Sequence, residues 1–221
     1  MNALFKLAAG NGVVVGQVVD LKDDDGLHQV NVRLPYLGGN VTTWARLVSP
    51  MAGQDRGLVL RPDIGDEVLV VFEQGDPERA YVVGALWSNA DRPPEGEPNP
   101  ASNHWRFFRS RSGHLLKFDD TPGAESVEIE DRDGKLRLVI DTAGDGIRLV
   151  ADSGTITIEA GQADVIVNAA ATASVKAQAV SVEAAGEARV TAATLKLEAS
   201  ADCTIEAAGM LSLKGSQISL N

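Results

Sequence analysis

Pairs of apolar residues separated by a single residue recur every seven or eight positions along the last third of this chain. They are Val165/Val167, Ala173/Val175, Val180/Val182, Ala188/Val190, Leu195/Leu197, Cys203/Ile205, Leu211/Leu213 and Ile218/Leu220. An i, i+2 pair puts both side chains on one face of a strand. The region is therefore restricted to a series of short strands, each with one apolar face. Gly154, Gly161, Gly186, Gly209 and Gly215 fall between pairs, where corners belong.

What fills the inner positions narrows the fold further. No Phe, Trp or Tyr follows Phe118, and no Pro follows Pro122. Aromatics normally supply much of a globular core, so the interior here must be thin. Small branched residues suit a narrow prism of stacked strands. The competing helical reading rests on the abundance of Ala. It fails on spacing, since a coiled-coil seam needs apolar residues at i, i+3 or i, i+4. The runs Thr155–Glu159 and Thr194–Glu198 alternate strictly, as half-buried strands do.

All ten aromatics lie in the first 118 residues, so a compact N-terminal domain precedes the repeats. Its expected strands are Gly12–Leu21, His28–Leu34, Val41–Leu47, Asp66–Phe72 and Arg79–Trp87. Turns are expected at Asp23–Gly26, at Gly38-Gly39-Asn40 and at Gly75-Asp76-Pro77. Five strands in this length suit an oligonucleotide/oligosaccharide-binding (OB) barrel. The run Val68–Phe72 is apolar throughout, which suggests a strand covered on both faces. Trp44, Trp87 and Trp105 read as packing residues at the barrel or its junction with the repeats. The segment 91–104, with four prolines, reads as a stiff extended linker.

Several functional classes are disfavoured. A net charge of −11 argues against a nucleic-acid footprint. The acidic clusters at 23–25, 119–120 and 128–131 sit beside turns and read as solvated, not as catalytic pairs. His28, His104 and His114 lie in unrelated contexts, so no Ser/His/Asp arrangement can be argued. Calcium loops fail because the closing Glu would fall at Val32 or Ile140. Cys203 occupies an inner repeat position as a small apolar residue, and one cysteine allows no intrachain disulfide. The stretch Met1–Gly10 is too brief for a signal peptide or membrane span, so the expectation is a product made in the cytoplasm without a leader. No catalytic residue, cofactor or metal is expected, and the chain is read as a non-enzyme.

The most specific local sequence lies in the barrel. Trp44-Ala45-Arg46 is followed by Pro50-Met51-Ala52-Gly53, then by the run from Arg61-Pro62-Asp63-Ile64-Gly65-Asp66 through Val68 and Phe72 to Gly75-Asp76-Pro77, and by Tyr81-Val82-Val83-Gly84. This resembles the barrel of the baseplate spike family of contractile phage tails, shared with the valine-glycine repeat proteins of type VI secretion and with extracellular contractile injection systems. The segment Arg106–Asp120 is similar to the family's passage from barrel to spike. The residues that carry the barrel motif are Trp44, Pro62, Gly65, Asp66, Val68, Phe72, Gly75, Asp76, Pro77 and Gly84.

The resemblance implies an all-β chain: an N-terminal OB-fold barrel, then a C-terminal triple-stranded β-helix wound from three identical chains into a needle. The implied divisions are a barrel at 1–90, a linker at 91–104, a transition at 105–125 and a spike at 126–221. The repeat pairs would form the needle's core. A single-chain solenoid would suit the repeats equally, because three steps make one turn. The implied role is a structural spike, part of a phage tail or injection particle, that caps an inner tube and pierces a target envelope on sheath contraction. Implied partners are two further copies, a trimeric hub protein at the barrel end and a PAAR-type tip protein at the other. That tip would sit on Ile218, Leu220 and Asn221, since the pattern runs on to Leu220 and no His follows His114 to build a metal-bound tip. The target membrane would be touched only mechanically, and no nucleic acid is involved. The alternatives are a solenoid adhesin or binding protein, and a cell-wall hydrolase or nucleic-acid-binding barrel.

Overall fold

The computed structural model describes residues 12–37 and 40–219. Gly38, Gly39, Leu220 and Asn221, and the stretch Met1–Gly10, lie outside the described residues. The chain divides into two units, Met1–Thr157 and Ile158–Asn221, each taken by itself below.

Valines at alternate positions build the barrel. Its strands are β1 (Val13–Asp20), β2 (Val30–Arg33), β3 (Thr42–Leu47), β6 (Glu67–Phe72) and β7 (Ala80–Leu86). A small hairpin of β4 (Ala52–Gly53) and β5 (Arg56–Gly57) is inserted between β3 and β6. The order β1-β2-β3-β7-β6 closes on itself through antiparallel pairs and one parallel pair, β3 with β7. Val18, Val30, Val32, Leu34, Ala45, Val68, Val70, Phe72, Ala80 and Val82 fill the interior. Phe72 is the one aromatic among them. Gly16 is required for closure, because a Cβ there would lie 2.3 Å from Val32 Cγ1.

The motif residues around Pro62 to Asp66 launch β6. Asp63 N–H donates to Asp66 Oδ2 at 2.8 Å, and Asp66 N–H returns to the Asp63 carbonyl at 3.2 Å. Gly65 sits at φ +105° and donates to the Val18 carbonyl at 2.9 Å, with open space where a Cβ would stand. Gly65→Ala therefore meets backbone strain alone, about 1 to 2 kcal/mol. The expected readout is a lower urea midpoint with an unchanged far-UV spectrum, and an unchanged midpoint would refute it.

The β6 strand departs from the expectation of cover on both faces. Val68, Val70 and Phe72 are buried, but Leu69 and Val71 are only half-buried. The barrel closes over one side of the strand, while the other lies on its exterior beside exposed Val13 and Val15. Trp44 and Trp87 likewise stand on the surface; Trp87 is 72% exposed. The segment 91–104 contains no strand but is tied down at its end. Glu97 accepts the His104 N–H at 2.7 Å and lies 3.0 Å from His104 Nδ1.

A second sheet follows within the same unit. Strands β8 (Trp105–Arg109), β9 (Leu115–Asp119), β10 (Ser126–Glu130), β11 (Leu136–Asp141) and β12 (Gly146–Ala151) form an antiparallel meander, each paired with the next. From Ser153 to Ser219 no described residue lies in a strand or helix.

Within a single chain the described apolar pairs of the repeat region form no core. Val165, Val167, Val175, Val180, Val182, Val190, Leu195, Leu197, Ile205, Leu211, Leu213 and Ile218 are all exposed, from 52% at Leu211 to 81% at Val182. Ala173, Ala188 and Cys203 are exposed as well, and Leu220 lies outside the described residues. The physical reason is the lack of a second layer. An i, i+2 pair lines one side of an extended segment, and it is buried only when another strand or sheet packs against that side. The described residues of this unit pair with no other strand, so spacing alone produces a side without an interior.

Candidate functional site

Register sorts the meander into two unlike faces. The row Phe108, Leu116, Ile129, Leu138, Leu149 crosses all five strands, and beside it runs Arg106, Phe118, Val127, Ile140, Ile147. Both rows share a face because their members differ by two positions. Nine of their ten residues are apolar, yet most are exposed, Ile147 by 75%. A sheet normally turns its apolar face to a core.

The other face is polar and partly covered. Its central row is Phe107, Lys117, Glu128, Val139, Arg148. Lys117 Nζ lies 3.2 Å from Glu128, 3.5 Å from Asp119 and 4.4 Å from the Trp105 ring centroid. The Lys117 and Asp119 side chains are each only 11% exposed. Burial pushes the Asp119 carboxyl up, but hydrogen bonds from Thr121 and the Lys117 ammonium outweigh it and hold the group below the usual carboxylate range. The charged side is thus internally satisfied, while the apolar side stays largely exposed, with Thr155, Ile156 and Thr157 beside it.

The second unit repeats this imbalance. Ser181 donates to Glu183 at 3.4 Å, Arg189 to Glu187 at 2.8 Å, and Lys196 pairs with Glu198. Contacts between i and i+2 side chains require an extended backbone that sets alternate residues on one side. The opposite side carries the exposed apolar pairs, Val167, Val175, Val190, Leu197, Ile205 and Leu213 among them. The backbone of residues 153–219 forms no hydrogen bonds among the described residues. Extended chain with open N–H and C=O groups is a template for pairing.

The carboxylate clusters have local duties. Asp23 accepts the N–H groups of Asp25, Leu27 and Gln29, and Asp131 those of Lys135 and Leu136. Each caps a turn. Among the described residues, no group of three or more His, Cys, Asp or Glu could hold a metal ion, and no helix is long and apolar enough to cross a membrane.

The barrel motif residues are distributed by role. Val68, Phe72 and Pro77 are buried, Gly65 and Asp66 shape the turn into β6, Gly75 and Asp76 the turn before β7, Gly84 lies on β7, Pro62 is half-buried and Trp44 is at the surface. Sequence reasoning missed the apolar face of the meander and the Lys117 cluster. The signal for the first was available: Leu136-Leu138-Ile140 and Ile147-Leu149 show the same i, i+2 spacing as the later repeats.

Comparison with known proteins bears on this architecture. Residues 14–87, the closed barrel, match the Type VI secretion system/phage-baseplate injector OB domain. The chain is also 31% identical over 111 residues to the type VI secretion system spike protein VgrG5 of Pseudomonas aeruginosa, covering 49% of this chain and 13% of that protein. The barrel, residues 14–87, is thus similar to the injector OB domain of type VI secretion systems and phage baseplates. Other relatives are VgrG1c of the same organism, 30% identical over 96 residues (41% of this chain, 13% of that protein), and the actin cross-linking toxin VgrG1 of Vibrio cholerae, 28% identical over 107 residues (45% and 10%). The chain therefore spans only 10 to 13% of the length of these spike-family relatives.

Proposed function

We propose that this chain is one of three identical copies of the central spike of a contractile tail or injection apparatus, a structural part with no catalysis of its own. The observation that carries this reading is the exposed apolar face of β8–β12, followed in sequence by repeats whose apolar pairs are exposed and whose backbone groups have no partners among the described residues. Ordering such a segment costs about 1 to 2 kcal/mol per residue in backbone entropy alone. Burial and backbone pairing must offset that cost, and three copies related by a three-fold axis supply both. The sheets then form the sides of a three-sided shaft with their apolar rows inward, and the repeat pairs fill its axis. A single-chain solenoid needs hydrogen bonds between strands three repeats apart in one chain. None forms among the described residues.

In this reading the barrel (1–90) seats on a trimeric hub at the end of an inner tube, 91–104 links it to the transition at 105–125, and 126–221 is the needle. Ile218, Leu220 and Asn221 meet a PAAR-type tip protein. Sheath contraction, powered elsewhere, drives the spike into the target envelope, and a shaft stiffened by backbone bonds on every side concentrates the force. Light scattering at micromolar concentration is the test. The expected mass is three times 23.3 kDa, and a monomer overturns the reading.

A further inference from the structure

The outward charges of the repeats carry information about how copies pair, an inference that rests on the three-copy reading above. Let each copy lay successive repeats on successive sides of a three-sided shaft. A three-fold rotation then brings one repeat of a copy beside the next repeat of its neighbour, as lateral strands about 4.8 Å apart. Residues at equal offsets within consecutive repeats become cross-strand neighbours.

Three positions past the first apolar member stand Lys176 and Glu183 in consecutive repeats, and Glu206 and Lys214 in another consecutive pair. Two further outward cations are answered within their own strand: Arg189 by Glu187, and Lys196 by Glu198. Glu198 falls beside Glu206 in this arrangement, and Lys196 offsets that contact. Lys176, Glu206 and Lys214 have no ion-pair partner among the described residues, and Glu183 takes only the Ser181 hydroxyl. Of the charges left over within one copy, these four meet an opposite sign on the next, whereas Asp164 and Asp202, one position before the first apolar member, meet none.

We infer that Lys176 of one copy pairs with Glu183 of its neighbour, and Glu206 with Lys214, and that these ion pairs pin the register in which the copies wind. Apolar pairs alone do not specify it. A slip by one whole repeat keeps every apolar pair inward. It also sets Lys176 against Thr191 and Glu183 against Glu198, leaving Glu198 with Lys214 as the one opposite-charge match. Like charges directly opposite are destabilising.

The test uses the full chain in a Cys203→Ser background. Lys176→Cys combined with Glu183→Cys is oxidised and run on a denaturing gel without reductant. Lateral Cα spacing suits a disulfide, so most chains should move to a covalent three-chain species. Either cysteine alone should not, nor should Lys176→Cys with Glu198→Cys, the neighbours of a single-chain solenoid. A trimer by light scattering that fails to cross-link overturns the register and leaves the spike reading standing; a monomer overturns both. As a second measurement, Lys176→Glu should lower the thermal midpoint, and adding Glu183→Lys should restore it. Absence of restoration counts against the pairing.

Discussion

Leu138→Glu should leave a folded barrel that no longer assembles. Leu138 stands within the apolar row, flanked by Ile129 on β10 and Leu149 on β12. In the single chain it is 36% exposed, so a carboxylate there reaches water and the meander can still form. In a three-copy shaft the same position faces inward and brings three carboxylates together. An unpaired charge buried this way costs roughly 3 kcal/mol per copy. Summed over three copies, that weakens association by roughly a million-fold. Light scattering should report monomers or ill-defined aggregates, while the barrel's far-UV signal persists. A variant with wild-type mass and midpoint would show that this face is not an interface.

Lys117→Ala should be the most damaging single change on the polar face. It removes the one cation between Asp119 and Glu128, and leaves two largely covered carboxylates facing each other. Breaking such a cluster from one side costs on the order of 3 kcal/mol. Lys117→Met keeps most of the stem over Trp105 and should recover the packing part only. The pH dependence separates charge from volume. The Asp119 carboxyl is depressed in the folded protein, so its contribution is present above its unfolded value, near 3.8, and is lost as pH falls through the lower folded value. Without Lys117 the attraction that helps depress the Asp119 carboxyl is gone, and with it that part of the pH-dependent contribution. The gap between Lys117→Ala and wild type in urea midpoint should therefore narrow as pH is lowered through about 4. A gap constant from pH 7 to pH 3 would mean that only packing was lost.

Much of the barrel was legible because its signals are local. The expected strand His28–Leu34 contains β2, and Arg79–Trp87 exceeds β7 by one residue at each end. Valine alternation and Gly, Asp or Pro turns mark these limits without reference to the rest of the chain. The outward side of β6 was misjudged for the complementary reason. A continuous apolar run such as Val68–Phe72 states that both sides avoid water, but not what covers the second. The repeat pairs share that limit: spacing places Val167, Leu197 and Leu213 on an apolar side, and it cannot say what packs there. The Lys117 cluster was invisible because Trp105, Lys117 and Glu128 come from three strands, joined only by register.

By itself, the sequence determined the period of the apolar pairs and the lack of aromatic residues after Phe118. It also determined the barrel, through turns that admit few conformations. Tertiary structure decided which side of the meander is apolar, that Gly16 must yield to Val32, and that β3 and β7 close the barrel in parallel. Each of these depends on pairing between residues distant along the chain. A slip of one position reverses every side chain in a strand, so strand identity is local but the facing of a sheet is not.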